Sequence, residues 1–175
     1  YANKTVKLTK DIDLKNALFT TIKAEKITFD GQGHTISNLT VKTDLAAGLF
    51  AYATSSTIKN LTIDGADVTG VNHVAALAGD ALCTTIENCT VKNATVLTLV
   101  KDGDNGDKAG AIAGYLSAEP NAAVVNCSVE NCTVRGYRDI GGLIGMANTP
   151  SASSVVTVTG NTIKNTTVLG DQTAN

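Results

Sequence analysis

Apolar and polar residues alternate in short segments along this chain, and one form of the pattern returns several times. In a strand, two apolar side chains separated by one residue point to the same face, and the residue between them points to the other. Most of these segments are only a few residues long and end at Asn or Gly, which are typical of tight turns. The pattern predicts many short strands with one buried face each.

One segment recurs along the chain at intervals typical of a solenoid. Its copies begin at Ile36, Ile58, Ile86, Val124 and Val158, roughly 22 to 38 residues apart, which is the range of solenoid repeats. One apolar column of the alignment contains Leu39, Leu61, Cys89 and Cys127, and the next contains Val41, Ile63, Val91, Val129 and Ile163. A further column contains Val68, Val96, Val134 and Val168. Each copy is therefore predicted to form two short strands whose apolar columns face inward.

Asparagine and glycine mark the corners between these strands. One corner column contains Asn38, Asn60, Asn88 and Asn126, and the other contains Gly65, Asn93, Asn131 and Asn165. Gly and Asn adopt the left-handed backbone conformation at the lowest cost. Several of these residues lie in Asn-x-Thr tripeptides, which are also signals for N-glycosylation. A corner followed by a strand explains the tripeptides without any attached sugar.

A third segment of each repeat places small residues around one aliphatic side chain. It reads AGLFAYA from Ala47, VAALAGDA from Val74, AGAIAGYL from Ala109 and GGLIGMA from Gly141. Small residues suit a strand that another backbone segment approaches closely. Three short strands per repeat, joined by loops of unequal length, predict a parallel β-helix.

The segment Gly142-Leu143-Ile144-Gly145 resembles the GLUG motif of bacterial surface proteins. The other copies depart from it, since Ala51 replaces the second Gly, whereas Ala76 and Ala111 replace the first. The stretch VKLTKDIDL, followed by ITFDGQGHTISNLTV and GLFAY, is similar to the opening of GLUG-type and pectate-lyase-like β-helix domains. The resemblance covers most of the chain. It implies a right-handed helix and an adhesin-like protein that is extracellular, on the bacterial cell surface, but it implies no particular ligand.

The predicted fold class is therefore all-β, a single-stranded right-handed parallel β-helix (solenoid) of about five to six coils with three short strands per coil. We expect one β-helix domain over residues 1–175. Within it, 1–35 are entry and capping strands, 36–170 are stacked repeats and 171–175 are a tail. This division also fits a fragment of a larger exported protein.

Composition and charge exclude several classes of function. The net charge is -2, which is not the basic balance typical of nucleic-acid-binding proteins. No apolar run approaches the roughly 18 residues of a transmembrane helix, so no membrane insertion is expected. The four cysteines form no CxxC pair, which argues against a zinc site. Because Cys89, Cys127 and Cys132 fall in predicted inward columns, we expect buried, reduced thiols.

Charged residues also form columns in the alignment. One outward column contains Lys42, Asp64, Lys92, Glu130 and Lys164, and Lys59 and Glu87 share another. Opposite charges on neighbouring strands stabilise their pairing, whereas like charges repel. We interpret these columns as determinants of stacking register rather than as a catalytic cluster.

No residue is predicted to be catalytic, and no cofactor is predicted. The pair Asp30 and His34 in DGQGHTI is interpreted as part of a glycine turn that enters a strand, and His73 as a loop residue. The segment KDGDNGDKAG offers three carboxylates, Asp102, Asp104 and Asp107, and Ca²⁺ prefers oxygen ligands. The segment lacks the spacing and the final Glu of an EF-hand, so we expect a solvated acidic turn, with a calcium loop as the alternative.

Two classes of function remain. The first is a non-catalytic cell-surface module, adhesin-like or structural, that binds a glycan or a host protein through loops near residues 97–110 and 117–123. Tyr115, Tyr137 and Arg138 are candidates for a sugar-stacking or partner-binding patch. The alternative is a polysaccharide lyase or glycoside hydrolase of the pectate-lyase-like type, although the outward columns lack the clustered carboxylates of such sites. The open ends of a solenoid also predict end-to-end self-association.

Overall fold

The computed structural model describes residues 3–99 and 108–170 of the chain. Within these ranges the regular elements are 24 β-strands, and none is a helix. The strands form five sheets, in which neighbouring strands run parallel. The predicted all-β parallel β-helix is confirmed.

Two sheets contain six strands each, and successive coils contribute one strand to each sheet. Sheet A stacks β1 (Thr5–Lys7), β4 (Thr28–Asp30), β8 (Thr57–Lys59), β13 (Thr85–Glu87), β18 (Asn121–Val125) and β22 (Val155–Thr159). Sheet B stacks β2 (Ile12–Asp13), β5 (Thr35–Ser37), β9 (Thr62–Asp64), β14 (Thr90–Lys92), β19 (Ser128–Glu130) and β23 (Thr162–Lys164).

The other three sheets complete each coil. Sheet C stacks β6 (Thr40–Lys42), β10 (Asp67–Gly70), β15 (Thr95–Thr98), β20 (Thr133–Gly136) and β24 (Thr167–Gly170). Sheet D stacks β3 (Ile22–Glu25), β7 (Phe50–Thr54), β12 (Ala78–Leu82), β17 (Ala113–Ser117) and β21 (Ile144–Asn148). Sheet E pairs β11 (His73–Ala75) with β16 (Lys108–Gly110). The predicted capping segment 1–35 contributes β1 to β4 to the same sheets as the later repeats.

The prediction of three strands per coil is wrong. The coil from β4 to β7 has four strands, and the coil from β8 to β12 has five, because sheet E is inserted between sheets C and D. The sequence pattern assigns no strand to sheet A, because it places the inward residues Ile58 and Ile86 of that sheet only at the start of each copy of the repeat.

The predicted alignment of the first copy with the later copies is wrong by one corner of the coil. Ile36 pairs with Ile63, and Val41 pairs with Val68. Asn38 therefore lies at the corner between sheets B and C, in the place that Gly65 takes in the next coil. Lys42 likewise pairs with Thr69 and does not join the charged column of Asp64. The two corners of a coil carry the same local pattern of apolar residue, Asn and Thr, so local sequence did not separate them.

The inward columns form the core of the solenoid. In sheet A the column runs through Phe29, Ile58, Ile86 and Val124. In sheet B it runs through Ile36, Ile63, Val91 and Val129. All of these side chains are at most 6% exposed. Each inner strand therefore buries one or two side chains against the coil above and the coil below, as the repeat predicted.

The corners have the left-handed backbone that the sequence predicted. Asn60, Asn88, Asn93 and Asn131 all have φ between 53° and 54°, a region that non-Gly residues seldom occupy. Side-chain amides link the corners of successive coils: Asn88 Nδ2 donates to Asn60 Oδ1 at 3.4 Å, and Asn131 Nδ2 donates to Asn93 Oδ1 at 3.5 Å. These ladders satisfy polar groups at each turn and favour one stacking register.

An aspartate completes the ladder where the neighbouring corner has glycine. Asp30 precedes Gly31 and accepts a hydrogen bond from Asn60 Nδ2 at 3.0 Å, and Asp64 precedes Gly65 and accepts one from Asn93 Nδ2 at 2.8 Å. The hydrogen bond from Asn60, together with one from a backbone N–H, lowers the pKa of Asp30. The corner ladders thus contain both Asn–Asn and Asn–Asp hydrogen bonds.

The charged column of sheet B is confirmed from Asp64 onward. Asp64, Lys92, Glu130 and Lys164 pair in successive strands. Lys92 Nζ lies 3.2 Å from a carboxylate oxygen of Asp64, and Lys164 Nζ lies 3.8 Å from one of Glu130. Because these pairs are partly exposed, each is expected to contribute at most about 1 kcal/mol.

Three cysteines lie in the core columns as predicted. Cys89, Cys127 and Cys132 are each at most 2% exposed, and together with the half-buried Cys83 they carry free thiols in the structure. The hydrogen bond with Cys127, together with burial, raises the pKa of the Cys89 thiol well above its usual range. Burial also raises the pKa of the Cys132 thiol. Such thiols behave as small apolar side chains, and their reduced state in solution stays a prediction.

Candidate binding groove

A surface groove of about 400 Å³ lies beside sheets D and E. It is lined by His73, Lys108, Tyr115, Arg138, Asp139, Met146 and Asn148. These side chains come from three successive coils, and they combine one aromatic ring and a thioether with charged and amide groups. We call this site the D–E groove.

Close backbone packing between sheets D and E builds the groove. A Cβ added to Gly79 would lie 2.6 Å from the carbonyl oxygen of His73, and one added to Gly114 would lie 2.5 Å from the backbone nitrogen of Val74. Gly145, the second glycine of the GLUG-like segment, similarly approaches the backbone nitrogen of Ala109. These glycines let the segment of sheet E lie directly against sheet D. Gly145 of the GLUG-like segment thus occupies a position where any side chain would clash with backbone atoms.

This packing brings a histidine and an aspartate together. Asp80 lies on the outward face of β12, and its Oδ2 is 2.9 Å from Nδ1 of His73 in β11. Both side chains are about four-fifths buried, with 19% and 22% of their side-chain surface exposed. The carboxylate therefore fixes the orientation of the imidazole ring, which leaves Nε2 for other partners.

The ring of Tyr115 lines the D–E groove and contacts several of its other residues. Its centroid is 4.8 Å from that of His73 with an interplanar angle of 27°, which is a stacked arrangement. Lys108 Nζ lies 5.5 Å from the Tyr115 centroid, within the range of a cation–π contact. The tyrosine hydroxyl accepts a hydrogen bond from Asn148 Nδ2 at 2.9 Å. Tyr115 is thus held by three different neighbours, each on a different coil or strand.

The structure brings together part of the predicted patch. Tyr115 and Arg138 both line the D–E groove, whereas Tyr137, 40% exposed, is not among the lining residues. Lys108 belongs to the predicted loop region 97–110, and residues 100–107 of that region lie outside the described residues. Residues 117–123 do not line the groove.

Of the other candidates from sequence, His34 has a structural role at a turn. His34 Nδ1 lies 3.1 Å from an Asp11 carboxylate oxygen, and His34 precedes β5 at the end of a glycine turn, as predicted. Asp102, Asp104 and Asp107 of the calcium alternative lie outside the described residues. Over residues 3–99 and 108–170 no three His, Cys, Asp or Glu side chains cluster as metal ligands would.

Sequence reasoning missed the pairing of His73 with Asp80. His73 was interpreted as a loop residue, but it begins β11, and Asp80 was not singled out. A charged residue at the outward position of a strand is ordinary, so Asp80 alone gave no signal. The informative signal was the run of small residues between the two, which permits the close approach of two backbone segments.

The family model for the right-handed β-helix region matches residues 16–173. The chain belongs to the right-handed β-helix family. The handedness that the resemblance implied is therefore confirmed.

One curated relative of this β-helix domain is halomucin from Haloquadratum walsbyi. It is 36% identical over 95 residues, which cover 53% of this chain but 1% of the length of halomucin. No solved structure is significantly similar to the chain. Among the described residues, none forms a helix with the length and apolar character needed to cross a bilayer.

Proposed function

We propose that this β-helix is a non-catalytic module of an extracellular protein and that it binds a glycan in the D–E groove. The observation that carries the proposal is the half-buried ring of Tyr115 surrounded by polar side chains. Carbohydrates present apolar C–H faces as well as hydroxyl groups, so their sites combine aromatic rings with hydrogen-bonding groups. The GLUG-like segment supports an adhesin-like role at the bacterial cell surface, and the name of the relative halomucin is consistent with an extracellular location.

The charges in the groove favour a glycan that carries carboxylate groups. Lys108 and Arg138 both line the groove, and a guanidinium group binds a carboxylate through two parallel hydrogen bonds. His73 adds a ring nitrogen whose donor or acceptor role depends on its tautomer. A uronate-containing oligosaccharide would satisfy both the cations and the aromatic ring.

A direct test compares two tyrosines of the same column. Tyr52 and Tyr115 both face outward from sheet D, each pairs with Asp80, and each has a lysine Nζ 5.5 Å from its ring centroid. Only Tyr115 stacks on a histidine and lines the groove. We expect a glycan array to identify an oligosaccharide whose affinity falls at least about tenfold in Tyr115→Ala but not in Tyr52→Ala. Equal losses in both variants, or no bound glycan, would contradict the proposal.

One observation favours a second function, polysaccharide lyase or hydrolase activity. A histidine oriented by a partly buried carboxylate, as His73 is by Asp80, is a typical general base. Lys108 and Arg138 would neutralise the uronate carboxylate, which makes proton abstraction at the adjacent carbon easier. Incubation with polyuronates distinguishes the two functions. Unsaturated uronate products that disappear in His73→Ala would establish the enzyme, whereas binding without products supports the module.

A further inference from the structure

The hydrogen bond between His73 and Asp80 determines which ring nitrogen of the histidine carries a proton. Asp80 Oδ2 lies 2.9 Å from His73 Nδ1, and an ionised carboxylate only accepts hydrogen bonds. In a neutral imidazole ring one nitrogen donates and the other accepts. Nδ1 is therefore the donor, and Nε2 is an acceptor as long as the ring is neutral.

Nε2 is the polar atom of His73 that remains for a ligand. The imidazole ring lines the D–E groove and is stacked on Tyr115. Within residues 3–99 and 108–170, the hydrogen bond with Asp80 is the one that the ring makes. A sugar bound in the groove is therefore adjacent to a ring whose unpaired polar atom is Nε2.

The charges around His73 are balanced while its ring is neutral. Four charged side chains of the described residues line the groove or contact the ring: Lys108, Arg138, Asp80 and Asp139. On the other side of His73 the preceding coil places the uncharged Ala46, and the phenol of Tyr115 is neutral at physiological pH. Two positive and two negative charges cancel, so one proton on His73 gives the groove a net positive charge.

We propose that the protonation state of His73 determines whether the D–E groove prefers a carboxylate or a hydroxyl group of a bound sugar. In the neutral ring, Nε2 accepts a hydrogen bond from a hydroxyl and repels a carboxylate, since both are acceptors. In the protonated ring both nitrogens donate, and Nε2 forms a charge-assisted hydrogen bond with a carboxylate. Histidine ordinarily changes charge between about pH 5 and 8, so the preference for uronate sugars increases as the pH falls. This inference rests on the glycan binding proposed above.

The test uses pairs of sugars that differ only in the carboxylate. Oligosaccharides of galacturonate, glucuronate and mannuronate are each compared with the neutral oligosaccharide made by reducing their carboxylates. Titration calorimetry at about pH 8 and about pH 5 gives the affinities of both members of each pair. We expect the ratio of uronate affinity to neutral affinity to rise about tenfold towards pH 5. The uronate carboxylate stays ionised over this range, whereas a hydroxyl both donates and accepts and therefore binds either form of the ring.

Two histidine variants assign the pH dependence to one residue. His73→Gln removes the titrating ring and keeps an amide that both donates and accepts, so the ratio of affinities should be the same at both pH values. His34→Gln is the matched control. His34 is the other of the two histidines, and its Nδ1 also lies near an aspartate, 3.1 Å from Asp11, but it does not line the groove. In this variant the ratio should change with pH as in the parent chain.

The tautomer of His73 is measured without any sugar. Nitrogen-15 NMR of the imidazole rings at about pH 8 should show a proton on Nδ1 and none on Nε2 of His73, whose signals are those missing in His73→Gln. A proton on Nε2 alone overturns the inference. So does a ratio of affinities that is independent of pH, or one that changes equally in His73→Gln. Binding that depends on Tyr115 but not on pH overturns this inference and leaves the proposed function intact, whereas failure of every sugar to bind overturns both.

Discussion

At the scale of single residues, the corner asparagines combine two roles in one side chain. Asn93 has φ of 54° and is exposed, so its side chain contributes little packing. Its amide donates to Asp64 and its carbonyl oxygen accepts from Asn131. The left-handed conformation costs a residue with an ordinary Cβ about 1–2 kcal/mol, whereas exposed hydrogen bonds contribute less. We infer that backbone conformation is the larger reason for Asn at these positions.

This inference predicts different effects for two substitutions of Asn93. Asn93→Ala is expected to lower the free energy of unfolding by about 1–2 kcal/mol, because the left-handed backbone conformation is unfavourable for alanine. Asn93→Gly loses the same hydrogen bonds but keeps the backbone conformation, as Gly65 does one coil earlier, so its effect should be clearly smaller. Urea unfolding measures both. Asn121→Ala is the control, since Asn121 is exposed and lies in β18. Equal losses for Ala and Gly at position 93 would mean that the hydrogen bonds dominate.

Residue-level patterns were sufficient to identify the corners but not their register. The Asn and Gly positions were predicted from sequence because few residues tolerate the left-handed region. Asn38, however, was assigned to the wrong corner, since the same apolar–Asn–Thr pattern precedes strands of sheets B and C. The two corners can be distinguished only from the pairing of strands in different coils, and a short stretch of sequence carries no information about that pairing.

At the scale of elements, the insertion of sheet E determines both the fold of each central coil and the position of the groove. The small residues of the third segment were correctly predicted to allow close backbone approach. The partner that approaches is not predicted, because the third segment is interpreted as one strand, whereas VAALAGDA contains the end of β11 and most of β12. The contact between His73 and Asp80 follows from that packing. The sequence pattern therefore did not predict it.

Gly114 provides a test of this element-level packing. Gly114→Ala would place a Cβ 2.5 Å from the Val74 nitrogen and 2.8 Å from the Gly79 carbonyl oxygen, both backbone atoms that cannot rotate away. Overpacking of this kind typically costs about 1–3 kcal/mol, and we expect that loss in urea unfolding. Gly170→Ala is the matched control, because no atom lies within 4 Å of its added Cβ. Equal free energies of unfolding for the two variants would show that sheets D and E can move apart without loss of stability.

At the scale of the whole molecule, stability along a solenoid is close to a sum over neighbouring coils, and its pH dependence is distributed unevenly. Over residues 3–99 and 108–170, the carboxyl groups with lowered pKa lie towards the N-terminal end. Hydrogen bonds from Thr35 and His34 lower the pKa of Asp11, and hydrogen bonds from Asn38 and Lys15 lower that of Asp13. Asp30, in the second strand of sheet A, is shifted in the same direction. The first two coils therefore depend on ionised carboxylates.

The sign of this effect predicts where acid unfolding begins. A carboxyl group whose folded pKa is lowered stabilises the fold fully above its ordinary pKa, 3.8 for these residues, and loses that contribution as the pH falls through the folded value. We expect amide hydrogen exchange at low pH, corrected for its intrinsic pH dependence, to accelerate first in β1 to β5 and later in β13 to β15.

A control variant separates this mechanism from general acid sensitivity. Asp13→Asn removes one titrating group but keeps a side-chain oxygen that can accept from Asn38 Nδ2, which donates to Asp13 Oδ1 at 2.8 Å in the structure. Exchange in β2 and β5 should then vary less with pH than in the parent chain. Uniform acceleration across all coils, unchanged in this variant, would mean that the stack unfolds as one cooperative unit and that the N-terminal carboxylates do not determine where it opens.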